Sequence, residues 1–437
     1  MNIKSIAFSV AFALGLSACQ FAFPSSRPAT KCPTTLSPSS SPLYRTTVKS
    51  TVSSSQGPLV FPKIDGYPGS LQFGRNNLIA FPKFDPNSDD PWQMDLRSYD
   101  LSKLDLRTTL DDLLYSTFDD RTIWPAADKL PAGFDCQQIM ELGKNPGLNI
   151  QNLHKDGITG KNIGIAIIDQ PMLVNHREYA DRVRLYEEAA DVKGALESEM
   201  HGPAVASIAV GKTVGVAPDA DLYYIATYMC SQGSYETVDF SCLANSIRRI
   251  LEINGRLPPD RKIRVLSMSI GWGPEVKGYD EIQLAVQEAK NAGIFIICTS
   301  EDEIYGFNFA GLGRSSLSDP NDFGSYEPGL FWSKYFYQEN NLQNTLLVPM
   351  DSRTTASPTG NNDYVFYREG GMSWSVPYLA GMYALAAQVK PDITPDAFWS
   401  SALQTGQTIK LTHEGKEYSF GVILDPVALI HALEGTK

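Results

Sequence analysis

Between residues 163 and 298, short unbroken apolar runs alternate with amphipathic stretches. The runs at 163–168, 222–226, 263–268 and 294–298 show no polar alternation, the pattern of parallel strands covered on both faces. Between them, Leu243, Ile247, Ile250 and Leu251 share one helical face, and Ile282, Ala285, Val286 and Ala289 share another. Strands alternating with amphipathic helices predict an α/β domain around a parallel sheet. Asp169 ends the first run, at the carboxyl end of a strand, where ligands of such sheets bind. Far downstream, Leu379, Met382 and Leu385 continue a helix predicted to begin at Ser373, in which Pro377 is tolerable only within the first turn.

Before residue 146 the pattern is weaker. Aromatic and proline stretches (Phe61-Pro62, Phe81-Pro82, Trp124-Pro125) alternate with an acidic, leucine-spaced run at 95–114. That run predicts a strand, a helix or an irregular extension packed on the main domain, and it carries no recognisable chemistry. From 20 to about 56 the chain is rich in Ser, Thr and Pro without apolar periodicity, the composition of a tether.

The first residues read as an address. Lys4 precedes an apolar stretch at 6–16, followed by Leu16-Ser17-Ala18-Cys19. This resembles the signal of bacterial lipoproteins, which implies cleavage before Cys19, acylation of its thiol, and a chain held at a membrane of the cell envelope by lipid alone. The organisation expected is therefore a signal peptide at 1–18, a lipidated cysteine and tether at 19–58, an N-terminal extension at 59–145 and a main domain at 146–437. Whether the extension is a removable propeptide is left open.

Composition narrows the function. A formal net charge of −12 over 437 residues, with no dense basic patch, argues against nucleic acid as a partner. No later segment reaches the roughly twenty apolar residues of a membrane-spanning helix. Apart from Cys19, the cysteines are Cys32, Cys136, Cys230, Cys242 and Cys298, an odd set without a Cys-x-x-Cys pair and with no suggestion of a zinc site. Cys230 and Cys242 are placed to close a short loop as a disulfide, and Cys298 lies in a strand-like run as a buried thiol. No metal or cofactor is expected.

The candidate chemistry is nucleophilic. Three segments present an aspartate, a histidine and a serine in that order: Ile167-Ile168-Asp169, His201-Gly202-Pro203-Ala204-Val205-Ala206, and Gly370-Gly371-Met372-Ser373-Trp374-Ser375-Val376-Pro377. A hydroxyl becomes a useful nucleophile when a base takes its proton and a carboxylate holds that base. A serine at a helix start also has unpaired amides beside it, although a serine acting only as helix cap has the same local appearance.

Together these segments resemble the subtilisin-like serine proteases, the subtilases. The Ser373 block is similar to the family's G-T-S-M-A-x-P, the His201 block to its H-G-T-x-V-A, and 164–169 followed by His176-Arg177-Glu178-Tyr179 to its strand, aspartate and H-P-E-L. Supporting pieces are Asp156-Gly157-Ile158-Thr159-Gly160, Val214-Gly215-Val216-Ala217-Pro218 and Ser267-Met268-Ser269-Ile270-Gly271. The resemblance covers about 145–405 and implies a three-layer subtilisin-like fold that acts on proteins or peptides. It implies that Ser373 attacks the carbonyl, that His201 is general base and then acid, and that Asp169 orients the imidazole. It also implies that Ser269 to Gly271 bind extended substrate, and that His176 is structural.

One departure stands out. The family's side-chain donor to the oxyanion is an asparagine after the fourth strand, and here the aligned residue is Asp302, within Cys298-Thr299-Ser300-Glu301-Asp302-Glu303. An ionised carboxylate there opposes the oxyanion. Either Asp302 stays protonated under pressure from its acidic neighbours, or Asn308 swings in from a loop inserted over the cleft at 303–336. The segment 206–214 is too short for the calcium loop of many relatives. Two other readings of the chain are a subtilase-like binding protein with little turnover, and an esterase, which lacks the G-x-S-x-G expected of it. Nothing in the sequence speaks to oligomeric state.

Overall fold

The computed structural model describes residues 60–435, apart from 73–75, 89–91, 232–234, 340–341 and 343. Cys19, Cys32, the signal-like segment and the whole tether lie outside the described residues. Among those described, no helix is long and apolar enough to cross a membrane.

The strands in chain order are β1 (Lys63–Ile64), β2 (Phe118–Asp119), β3 (Gly164–Asp169), β4 (Val183–Glu188), β5 (Asp221–Ala226), β6 (Ile263–Ser267) and β7 (Phe295–Ile297). They continue with β8 (Asn308–Arg314), β9 (Tyr326–Pro328), β10 (Thr345–Pro349), β11 (Arg353–Ala356), β12 (Tyr364–Tyr367), β13 (Gln407–His413) and β14 (Lys416–Ile423). The central sheet has the order β1-β4-β5-β3-β6-β7, and every pair in it is parallel. All four predicted runs are strands of this sheet, and β4 is a strand that the apolar pattern did not announce.

Each face of the sheet has its own core, because side chains alternate between faces along a strand. Ile165, Ile167, Leu222 and Tyr224 pack on one side with the helices His201–Val210 and Met372–Val389, whereas Ala166, Ile168, Tyr223 and Leu266 pack on the other with Phe240–Arg256 and Tyr279–Asn291. The result is a mixed α/β fold of the subtilisin-like kind. From β3 the chain builds β4 and β5 to one side and then crosses to β6 on the other, so the carboxyl end of β3 is a topological switch point.

The extension is woven into this body. Lys63 and Ile64 pair with Leu185 and Tyr186 at the edge of the central sheet, and Phe118 and Asp119 pair with Phe366 and Val365 of β12. The leucine-spaced run is mostly turns with one helical piece, Leu110–Leu113. Its Leu96, Leu101, Leu106 and Leu113 share a core with Phe118, Val214, Tyr364 and Phe366.

The segment expected as a loop over the cleft, 303–336, is instead largely structured. It supplies β8 and β9, which join a second sheet of order β13-β14-β10-β8-β9. Leu312 lies buried in β8, and Tyr326 and Pro328 are buried in β9, so apolar positions in a glycine- and aromatic-rich segment were building a sheet.

Candidate active site

Asp169 is the last residue of β3, buried, with its main-chain carbonyl accepting from Thr227 N at 2.9 Å and its Oδ1 accepting from Gln170 N at 2.8 Å. The same Oδ1 lies 2.7 Å from His201 Nδ1. His201 is the first residue of the helix His201–Val210, and its side chain is 15% exposed, which leaves the ring accessible. With Nδ1 donating to Asp169, Nε2 on the other side of the ring is the basic atom. The glycine after the histidine is dictated by packing: a Cβ on Gly202 would collide with Gln170 O and lie 2.7 Å from Tyr224 Oη. The Tyr224 hydroxyl donates to Gln170 O, so the turn after Asp169 is fixed from below.

Ser373 is the second residue of the helix Met372–Val389, whose N-cap, Gly371, has φ +68°, a conformation suited to glycine. A Cβ on the preceding Gly370 would strike Met350 O and lie 2.6 Å from Trp374 Cδ1. Trp374, next to Ser373, has its ring centroid 5.3 Å from that of His201. The two helix starts thus meet over the carboxyl ends of the strands. Among the described residues no hydrogen bond joins the Ser373 hydroxyl to His201; in unliganded enzymes this contact is commonly long.

Pro377 falls beyond the first turn of that helix, contrary to the sequence-based expectation. A proline there has no N–H for the carbonyl four residues earlier, which is that of Ser373. Ser269 Oγ supplies the missing donor, bonding Ser373 O at 2.9 Å. The Ser269 side chain, in the segment expected to bind extended substrate, therefore anchors the main chain of Ser373. Gly271 is required by close packing, since a Cβ would collide with Thr299 Oγ1 and lie 2.7 Å from Ser300 Oγ. Ser300 Oγ accepts from Trp272 N at 2.7 Å and donates to Trp272 O at 3.0 Å, and Thr299 N donates to Ile270 O at 3.1 Å, so the segment 270–272 is tied to the turn after β7.

That turn opens the short helix Glu301–Ile304. Asp302 is its second residue and half-buried. Glu301 is the acid that turns inward: it is 1% exposed, its Oε1 accepts from Cys298 N at 2.7 Å, and its Oε2 has no partner. Burial pushes the Glu301 carboxyl well above the usual range, despite the Cys298 amide. Asn308 begins β8, exposed and in register with Thr345 of β10, not on a mobile loop.

His176 and His154 have structural environments. His176 is fully buried, with Nε2 3.0 Å from Asp363 O and Nδ1 accepting from Glu178 N at 3.2 Å, and His154 Nε2 lies 2.8 Å from Val216 O. Cys230 and Cys242 form a disulfide, and Cys298 is a buried free thiol. Among the described residues, no group of three or more His, Cys, Asp or Glu is arranged to hold a metal.

One carboxylate at the site went unnoticed in the sequence. Asp351 follows β10, is 2% exposed, and accepts from Gly370 N at 3.0 Å and Leu330 N at 2.9 Å. No local signal distinguishes it, because an aspartate after an apolar run is ordinary until both its donors are seen to come from distant segments.

Residues 160–326 match the family model described as the subtilase family, a family of serine peptidases. Among solved structures, the chain is similar to the prenylagaramide maturation protease PagA at 16% identity, covering 66% of this chain and 99% of that one with a TM-score of 0.44. It is also similar to the PatG macrocyclase domain (14% identity, 65% and 95% covered, TM-score 0.43). A third is a serine-to-alanine mutant of the protease domain of PatA (17% identity, 64% and 98% covered, TM-score 0.45).

Proposed function

The chain is subtilase-like, and on that premise we propose that it is a serine endopeptidase anchored by lipid in a bacterial cell envelope. The observation that carries the reading is the 2.7 Å bond between His201 Nδ1 and buried Asp169, placed at the switch point of the sheet beside the start of the Ser373 helix. Substrates are proteins or peptides.

In this mechanism His201 Nε2 takes the Ser373 hydroxyl proton as Oγ bonds the substrate carbonyl carbon. The negative oxygen is received by the Ser373 amide at the helix start and by the group at Asp302. His201 then gives its proton to the departing amine as the C–N bond breaks. Water, deprotonated by the same nitrogen, hydrolyses the acyl-serine and restores Ser373. Asp169 stabilises the imidazolium in both halves.

Support for the location comes from the sequence at the N-terminus, where Leu16-Ser17-Ala18-Cys19 meets the lipoprotein pattern and 20–56 has the composition of a spacer. Cleavage before Cys19 and acylation of its thiol would leave the domain outside the cytoplasm.

A second reading, a peptide-binding protein with weak turnover, is favoured by the carboxylate at Asp302. A fluorophosphonate probe separates the two. The parent labels on Ser373 and hydrolyses peptides, and Ser373→Ala does neither; labelling no greater than that of Ser373→Ala leaves only the binding protein.

A further inference from the structure

We propose that Asp351 is a positioning residue for the nucleophile, its carboxylate seating Gly370 so that Ser373 is held at working distance from His201. The proposal rests on the reading of Ser373 as nucleophile. Ser373 hangs between two anchors, Ser269 at its carbonyl and Asp351 three residues upstream at Gly370. The Asp351 anchor is itself rigid. Met350 N and Asp351 N both donate to Leu312 O of β8, at 3.1 and 3.0 Å, and Ser352 N donates to Arg368 O at 3.1 Å. Gly370 lies directly on Met350 O, where no side chain fits. The second carboxylate oxygen holds Leu330, two residues past the end of β9, so one buried group ties the second sheet to the turn that leads into the serine's helix.

Both oxygens accept from N–H donors, and the ionised form accepts most strongly at both. Protonation weakens the oxygen that takes the hydrogen as an acceptor and loosens its hold on Gly370 or Leu330. Burial pushes the Asp351 carboxyl up from 3.8 to about 6, with Glu327 adding to the rise and Arg368 and the two amides opposing it. The sign is informative. A carboxyl raised in the fold holds its proton there while the unfolded chain has released it, so ionised Asp351 costs stability as pH rises from about 4 to 6. A group that costs stability in its ionised form and still binds two loops is retained for placement.

Trp374 reports on this seat, being in contact with Gly370. Its emission, taken as the difference made by Trp374→Phe in a His201→Gln background, is followed across the pH range, and fluorophosphonate labelling rates are measured with His201 present. The expected result is an emission transition near pH 6 that vanishes in Asp351→Asn and returns, displaced, in Asp351→Glu. Labelling of Asp351→Asn falls about ten-fold at alkaline pH, an order typical of a lost orienting contact, and its acid limb loses one of two protonation steps. A flat emission profile in the parent, or an Asp351→Asn variant that keeps the transition or labels at the parental rate, overturns the proposal; the first holds even if that variant fails to fold. An Asp351-dependent transition in a parent that does not label instead overturns Ser373 as nucleophile while leaving Gly370 seated by Asp351.

Discussion

At Glu301 and Asp302, two adjacent acids meet opposite surroundings. Glu301 points into the core with one oxygen unpartnered, whereas Asp302, the next residue, is half-buried. Because the Glu301 carboxyl is raised by burial, the folded chain keeps a proton that the unfolded chain releases near pH 4.5. Stability is therefore lost as pH rises above that value, at up to about 1.4 kcal/mol per pH unit. Denaturant unfolding at pH values rising from 4.5 should show the parent losing ground against Glu301→Gln, which has no proton to release, until the buried carboxyl itself ionises. Asp302 bears on rate instead. If it serves the oxyanion as a neutral acid, Asp302→Asn gains nothing at neutral pH, whereas relief of an ionised, opposing carboxylate raises the rate by about a hundred-fold or more. Steady-state peptide hydrolysis by the two proteins decides between them, and we expect no gain.

At the scale of elements, the long apolar strands were legible because a strand buried on both faces leaves a continuous hydrophobic run. The strands β8 and β9 were not legible, since glycines and aromatics there serve a sheet whose partner, β10, lies beyond them in sequence. Pro377 shows the same limit. Its cost to the helix depended on whether a donor from elsewhere, here Ser269, reached the carbonyl it abandons. The disulfide ties the segment after β5 to the start of the helix Phe240–Arg256, across a sequence separation of 12. Closing so short a loop restricts the unfolded chain by about 2–3 kcal/mol. The paired Cys230→Ser and Cys242→Ser replacement should lower stability by that order in urea titrations while leaving the Asp169–His201 pair intact by NMR of the imidazole.

For the whole molecule, the extension is the element whose role depends most on context. Its β1 covers the edge of the central sheet and its leucines cover Val214, Tyr364 and Phe366. Removing residues 60–145 would uncover an apolar core and a sheet edge together, both of which favour association. A chain starting at 146 is expected to aggregate or unfold, and the N-terminus of the working protein to lie upstream of 60. Size-exclusion chromatography of the truncated chain and N-terminal sequencing of the native one check this, and a monodisperse, stable truncation would refute it.

The linear chain by itself determined the α/β class, the order of the three chemical blocks and the lipoprotein-like address, because each depends on residues within a few positions of one another. Tertiary structure decided which acid is buried, what holds the Ser373 carbonyl and what seats Gly370. Those depend on contacts between residues such as Ser269 and Ser373, or Asp351 and Leu330, whose meeting is set by the packing of sheets and helices and leaves no periodic trace in the chain.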